Sequence, residues 1–492
     1  MELMQGIEIH EKNIETGIFQ FIYPFSIENG LELKILPFLK EHGFSFFQMD
    51  QLQKETAYYG DFSVSHREME AYFLSFTNKV LFPHTEQQKG IKRYSKALNV
   101  NALLKTELVS IPFQIASIDV ILCPFELGFL TIRTQIKESM ELSHALEFAG
   151  RFRKLEPRND IDKKTQIIFK EKEYGKVNDF VYNVLFDGLP HFFEDIQSKG
   201  SYFETFPFFE DERMYVQSLL SIKEEDEICP ADLYRAGSLC GITSEGAPFI
   251  SAGNEEYILD YLKKNGYHRW APLTYFVMEE HLFTCLTKEN SRRVSELAGQ
   301  LYGEFYYGIL LNLFHKIVLL KLGHEYAELN IQNNNANMEK LIYSINSFTA
   351  NYFSLELISQ SPSREVFFLL RKKFNIELLY KEAKRTLSSL FKYQENVNAK
   401  KESLLLLLLT LYSVIGQMFG MSLVTSDFIG KIKWGHVLKY NPVEYFALIV
   451  AASGILVSIV LGLQSIREWL MDRKIRKKWI KQTVMSSTKE EK

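Results

Sequence analysis

The sequence predicts an α+β domain in the cytosol, followed by a long stalk helix and a two-helix transmembrane hairpin, in a chain that works as an oligomer. Three observations lead there. Two apolar spans, 404–424 (LLLLLLTLYSVIGQMFGMSLV) and 445–463 (YFALIVAASGILVSIVLGL), contain no charged side chain. Crossing the hydrocarbon core of a bilayer takes about 20 helical residues, the length of each span. Upstream, 364–415 holds neither proline nor glycine, and downstream a run of lysine and arginine follows the second span.

At 492 residues the chain accommodates two or more folded units beside its membrane part, divided as 1–290, 291–402, 403–466 and 467–492. Hydrophobic residues at 46% and aromatic residues at 14% are ample for a packed core. The net charge of −4 includes a basic tail, so the body ahead of it is acidic, which argues against nucleic acid as a direct partner. The four cysteines are far apart and form no Cys-x-x-Cys pair, so buried reduced thiols are expected rather than zinc.

In chain order, 18–23 reads as a strand before Pro24, and 31–42 and 64–81 as helices, the second with Met69, Phe73, Phe76 and Val80 on one face. Segments 117–123 and 129–136 form a hairpin across 124–128. In its second strand Leu130, Ile132 and Ile136 alternate with Thr131, Arg133 and Gln135. An amphipathic helix over 141–153 and a short strand over 165–170 complete the mixture. The stretch 171–253 reads as loops and short elements.

Long helices follow. In 294–329 the apolar run 306–322 is interrupted by His315, Lys316 and Lys321, so a buried helix is expected rather than a third span. A polar break at 333–335 precedes a helix over 338–359, and Ser363 is a candidate N-cap after the next break. From Arg364 one helix runs into the first span. At about 1.5 Å per residue it reaches about 90 Å and needs neighbours along its length.

Ser403, Thr410, Ser413, Gln417 and Gly420 gather on a narrow stripe of the first span, away from Leu405, Leu409, Tyr412 and Phe419. Such a stripe lines a water-filled path or hydrogen-bonds across helices as packing glue, and both readings stand. In the second span Ala447, Ala451, Gly454, Ser458 and Gly462 recur every three or four residues, which lets helices approach closely. Two spans cannot enclose a pore, so a conducting species is a homo-oligomer with the first helices inside.

Orientation follows the basic flanks. The collar Arg473, Lys474, Arg476, Lys477 and Lys478, with Arg467 and Lys481, outweighs Lys431, Lys433 and Lys439 of the connecting loop. Both termini are therefore expected in the cytoplasm, with the hairpin in the inner (plasma) membrane. The first 25 residues lack the pattern of a signal peptide. Phosphate-loop, nucleophile-elbow and zinc-protease motifs are missing, so no enzyme is predicted. His268 and His281 read as packed residues, and the aromatic cluster 267–276 as a buried turn between strands.

A cytosolic α/β domain, a very long helix, a span ending in Phe419-Gly420-Met421-Ser422, a short external loop, a second span and a basic end together resemble CorA-type magnesium channels. The likeness covers 364–481. It implies a homopentamer whose pore is lined by Thr410, Ser413, Gln417, Gly420, Met421 and Ser422. Ser422 stands where the family has an asparagine that orients hydrated magnesium, and the loop 425–444 sets three lysines against Asp427 and Glu444. Both departures imply weak magnesium selectivity.

The enlarged cytosolic part is also similar to the CorA-like membrane effectors found beside type III CRISPR systems. Those imply a role in antiviral defence and a nucleotide messenger as gating ligand. The function expected is thus a cation-conducting channel gated by its cytosolic domain, with magnesium or a nucleotide as the gating ligand. Alternatives are a housekeeping magnesium transporter and a non-conducting membrane-anchored receptor or scaffold.

Overall fold

The alternating residues of the first 290 positions form strands β1 (Asn13–Ser26), β2 (Ser45–Phe46), β3 (Lys92–Lys105), β4 (Ser110–Cys123), β5 (Leu127–Ile136) and β6 (Met140–Glu141). After them come β7 (Gln166–Phe169), β8 (Lys172–Tyr174), β9 (Tyr215–Ile222), β10 (Gly266–Tyr267), β11 (Thr274–Met278) and β12 (Leu282–Thr287). The helices are α1 (Glu32–Glu41), α2 (His66–Glu70), α3 (Ser75–Leu81), α4 (Leu142–Phe152), α5 (Val177–Phe180) and α6 (Pro230–Ser238). Then follow α7 (Glu255–Asn265), α8 (Ser291–Gln300), α9 (Tyr306–Glu328), α10 (Asn335–Asn351), α11 (Ser361–Lys373) and α12 (Ile376–Leu423).

This computed structural model describes residues 7–28, 30–157, 164–193, 213–329, 335–355 and 361–423, with scattered positions between 441 and 460. The chain divides into two compact units, Met1–Lys384 and Arg385–Lys492. Unit 1 thus takes in 291–384, which the sequence reading groups with the stalk. Unit 2 is described chiefly by the rest of α12.

All twelve described strands of unit 1 belong to one mixed sheet, ordered β10-β11-β12-β9-β1-β5-β4-β3-β7-β8, with β2 beside β3 and β6 beside β1. The pair β12–β9 is parallel and the other described pairs are antiparallel. Period-two alternation gives the sheet two chemically different faces. One is aromatic: Phe19, Phe21 and Phe113 meet Phe148 and Phe152 of α4, with ring centroids 4.7–5.4 Å apart for the Phe21–Phe152, Phe19–Phe148 and Phe113–Phe152 pairs. The other is polar, and the start of α9 covers it.

Local chemistry sets the helix starts. Asn254 Oδ1 accepts from the amides of Glu256 and Tyr257 at α7, and Asn290 Oδ1 from the amide of Arg293 at α8, each satisfying donors that a helix leaves open. Between α8 and α9 the turn Leu301–Phe305 is π-helical, with Gly303 outside helical dihedrals at φ −95° and ψ −106°.

Several elements differ from the sequence reading. The strand expected at 18–23 is longer, and Pro24 lies inside it opposite Phe129. The helix expected over 64–81 is split into α2 and α3, because Phe73 turns inward to pack on Phe82 and Tyr307, at 5.5 and 6.0 Å between centroids. The region read as irregular, 171–253, supplies β9, a central strand buried along its length. The single helix expected from Arg364 is interrupted: α11 ends before Asn375, whose φ of +53° breaks the helix, and α12 starts at Ile376. Asparagine is the residue after glycine that most readily takes that conformation.

Candidate functional site

The segment singled out for membrane crossing begins within α12, whose backbone stays helical through Leu423. Its side chains are described as far as Val414. Leu406 and Leu409 are 65% and 70% exposed, and Leu404, Leu405, Leu407, Leu411 and Val414 are exposed as well. Leu408 and Tyr412, one turn apart, are half-buried. Of the stripe residues, Thr410 and Ser413 are exposed, and the Thr410 hydroxyl donates to the carbonyl of Leu406 in its own helix.

Gln417, Gly420, Met421 and Ser422 lie on the helical backbone, with side chains outside the described set. The packing residues Ala447, Ala451, Gly454, Ser458 and Gly462 and the collar Arg473, Lys474, Arg476, Lys477 and Lys478 lie outside the described residues altogether. Val443, Phe446, Ile449, Leu456 and Val460, which are described, are exposed.

By length and composition, one helical run among the described residues can cross a membrane: Ser291–Glu328, 89% buried over its most apolar window. Its charges have protein partners. Lys316 pairs with Glu280, and Lys321 Nζ donates to the Phe125 carbonyl at 2.9 Å. His315 Nε2 lies 2.8 Å from the carbonyl of Tyr352, and Nδ1 lies 3.3 Å from Arg371 Nη1. Arginine can only donate, so Nδ1 accepts and Nε2 carries the proton. Burial and then Arg371 lower the His315 pKa to about 3, which keeps the ring neutral.

The first residues of α12, still in unit 1, join the same cluster. Arg371 Nε donates to Glu377 Oε1 at 2.7 Å, its guanidinium covers the Phe353 ring at 4.5 Å, and Phe353 stacks on Tyr380 at 3.6 Å. The base of α12 is therefore held by α9, α11 and the end of α10 on both sides of the Asn375 turn.

A second constellation lies between the sheet and α9. Register aligns Gln217, Gln20, Arg133 and Ser117 across four strands, and Ser95, Asp119 and Thr131 across three. Asp119 Oδ2 sits 2.8 Å from Arg93 Nε and 2.7 Å from Arg133 Nη2, all three side chains at most 2% exposed. Burial pushes the Asp119 pKa up, but Arg133 and Arg93 outweigh it and hold the carboxyl below its ordinary value. Tyrosines from the helical side meet this row. Arg93 Nη1 donates to the Tyr307 hydroxyl at 2.9 Å, and the Tyr306 hydroxyl is 2.8 Å from Thr131 Oγ1. Gln217 and Gln20 both donate to the Leu301 carbonyl, at 3.0 and 3.3 Å, fixing the π-turn to β9 and β1.

One carboxylate between two guanidiniums, covered by tyrosines, makes a buried ion-pair lock between the sheet and α9. A separate pocket lined by Phe38, His42, Phe44, Lys96, Phe186 and Asp187 has a volume of about 40 Å³. That is far below the 300–1,000 Å³ usual for small-molecule sites. Among the described residues no group of three His, Cys, Asp or Glu side chains is placed to hold a metal ion. His268 follows β10 and His281 lies in the turn between β11 and β12, and of the cluster 267–276 the turn 268–273 is half-buried to exposed while Thr274 and Phe276 are buried in β11.

The sequence reading missed Asp119 and Arg93 as partners of Arg133. A lone carboxylate within the apolar strand Ile115–Cys123 was the available signal. The chain matches no protein-family model, no curated protein and no solved structure.

Proposed function

We propose that the chain is one subunit of an oligomeric, CorA-like ion channel of the plasma membrane. The hairpin 404–463 anchors it, both termini lie in the cytoplasm, and the sheet-bearing unit opens it. The observation that supports this most is α12: one unbroken helix passes from a base packed in unit 1 to a charge-free run whose leucines are exposed. An exposed apolar run of that kind needs lipid or other copies of itself to cover it.

The ion path is assigned to Thr410, Ser413, Gln417, Gly420, Met421 and Ser422, and packing between subunits to the small residues of the second span. With serine at 422 and lysines in the loop, the pore passes cations with weak magnesium preference. Its gating ligand is of the nucleotide class or a divalent cation. A second reading has its own support: the Thr410 hydroxyl is satisfied within its helix, as expected of a non-conducting anchor or scaffold.

Purified protein in liposomes decides between them. A channel gives cation flux that responds to a nucleotide or to magnesium and that changes in Gln417→Leu and Ser422→Asn. A scaffold gives none with any of these ligands, and a monomer in nanodiscs removes the pore altogether.

A further inference from the structure

Glu304 occupies the π-turn between α8 and α9 and is 1% exposed. Its carboxylate accepts from the hydroxyl of Ser363, itself 4% exposed, near the start of α11. The π-turn is fixed to the sheet through Leu301, as described above. Helix α11 leads across the Asn375 turn into α12, so this hydrogen bond joins the sheet's anchor point to the element that carries α12, beside the Asn312 Nδ2 bond to the Phe367 carbonyl at 3.3 Å and the Arg269–Glu365 ion pair at 3.1 Å.

The surroundings of the carboxylate are unusual. Among the described residues no Arg, Lys or His acts on it, and Ser363 is the partner that favours its charged form. From the loop after α2, Tyr72 feels Glu304 and, beyond it, Glu68. Met69 of α2 and Val64 lie against Gly303 and contribute no charge. A carboxylate buried with one hydroxyl partner and no cation is disfavoured in its ionised form.

We propose that Glu304 and Ser363 form a proton-controlled clamp: the neutral carboxyl holds α11 against the π-turn, and loss of its proton to solvent loosens that contact. Burial, partly offset by Ser363, raises the Glu304 pKa from 4.5 to about 7, which puts the transition in the cytosolic range. Because the folded value is raised, the clamp's stabilisation is complete below 4.5 and is lost as pH rises to about 7. His315, which meets Arg371 at the far end of α11, titrates in the opposite sense, since it gains charge as pH falls. That loosening α11 alters conduction rests on the channel reading above; the clamp itself does not.

Hydrogen exchange of α11 amides, in the full chain held in nanodiscs, tests it without any flux measurement. Wild type is compared with Glu304→Gln at each pH, so that His315 cancels. The ratio of opening constants, wild type over variant, should rise about tenfold per pH unit between 4.5 and about 7 and then level off. A ratio independent of pH overturns the clamp. If the variant does not fold, Ser363→Ala keeps the carboxyl and removes the partner that lowers its pKa. The infrared band of the protonated acid should then persist to higher pH than in wild type, and an unchanged titration overturns the proposal.

Discussion

The apolar run 306–322 of α9 is buried from Tyr306 to Leu319, whereas leucines at 404–411 of α12 are mostly exposed. By composition the two are close. What separates them is the sparse polar chemistry. In α9 each of His315, Lys316 and Lys321 has a partner on another element, from the Tyr352 carbonyl to Glu280 and the β4–β5 turn. Those partners exist because the run is packed inside protein, where an unpaired charge is costly. The α12 run offers no charge to pair, and its one described threonine bonds to its own helix. Embedded charges with partners accompany the buried run of α9, whereas the exposed leucines of α12 carry neither.

The largest effect should come from the sheet beneath α9. Asp119→Ala leaves two buried guanidiniums without their shared carboxylate and should destabilise unit 1 by about 3–5 kcal/mol. Denaturant unfolding of the full chain in nanodiscs measures this, and a loss below about 1 kcal/mol would make the pair no better than a surface one. Because Arg133 and Arg93 outweigh burial at Asp119, its stabilisation is present above the unfolded value of 3.8. It is lost as pH falls through the lower folded value.

Matched truncations come next. Leu313→Ala in α9, where the side chain is 2% exposed, should cost about 2–5 kcal/mol by leaving a cavity. Leu407→Ala in α12, 64% exposed, should change the unfolding of unit 1 by less than about 0.5 kcal/mol. Val414→Arg, at the middle of the 404–424 span, should instead penalise membrane insertion by about 2.5–3.5 kcal/mol, read by alkaline extraction of membranes. Equal unfolding losses for the two alanine variants would erase the distinction between the helices.

The smallest effect concerns the turn between α11 and α12. Asn375→Ala places a side chain at a φ of +53° that alanine adopts poorly, at a cost of about 1 kcal/mol, while Asn375→Gly should be nearly neutral. Thermal unfolding checks both. If alanine and glycine behave alike, the left-handed turn is not what ends α11.

Much of the secondary structure was legible because it depends on local pattern. The β4–β5 hairpin, α4 and the buried nature of α9 follow from alternation, helical spacing and interrupting charges. The polar face of β5 was legible as alternation, but its partner was not. Thr131, Arg133 and Gln135 show in the sequence only as the polar half of that alternation, and only the fold brings β3, β4 and tyrosines from more than 150 residues away to cover them. Strand β9 was missed for a related reason: buried on both faces, it shows no alternation. The break at Asn375 had a cue, an asparagine flanked by helix formers, which the search for proline and glycine passes over.

Thr410, Ser413, Gln417 and Gly420, proposed to line the ion path, share one face by helical spacing, and Met421 and Ser422 join them through the CorA resemblance. Whether that stripe meets water depends on neighbouring copies, which one chain's sequence does not encode locally.

Spin labels attached to single cysteines test the contrast most directly, after replacement of Cys123, Cys229, Cys240 and Cys285. Labels along 404–414 and along 310–319 are compared in nanodiscs for collision with oxygen, which concentrates in lipid, and with a water-soluble nickel chelate. The account predicts that several positions at 404–414 are open to oxygen and closed to nickel, while those at 310–319 are closed to both. Nickel access all round 404–414, or oxygen access at 310–319 matching that of α12, would contradict it.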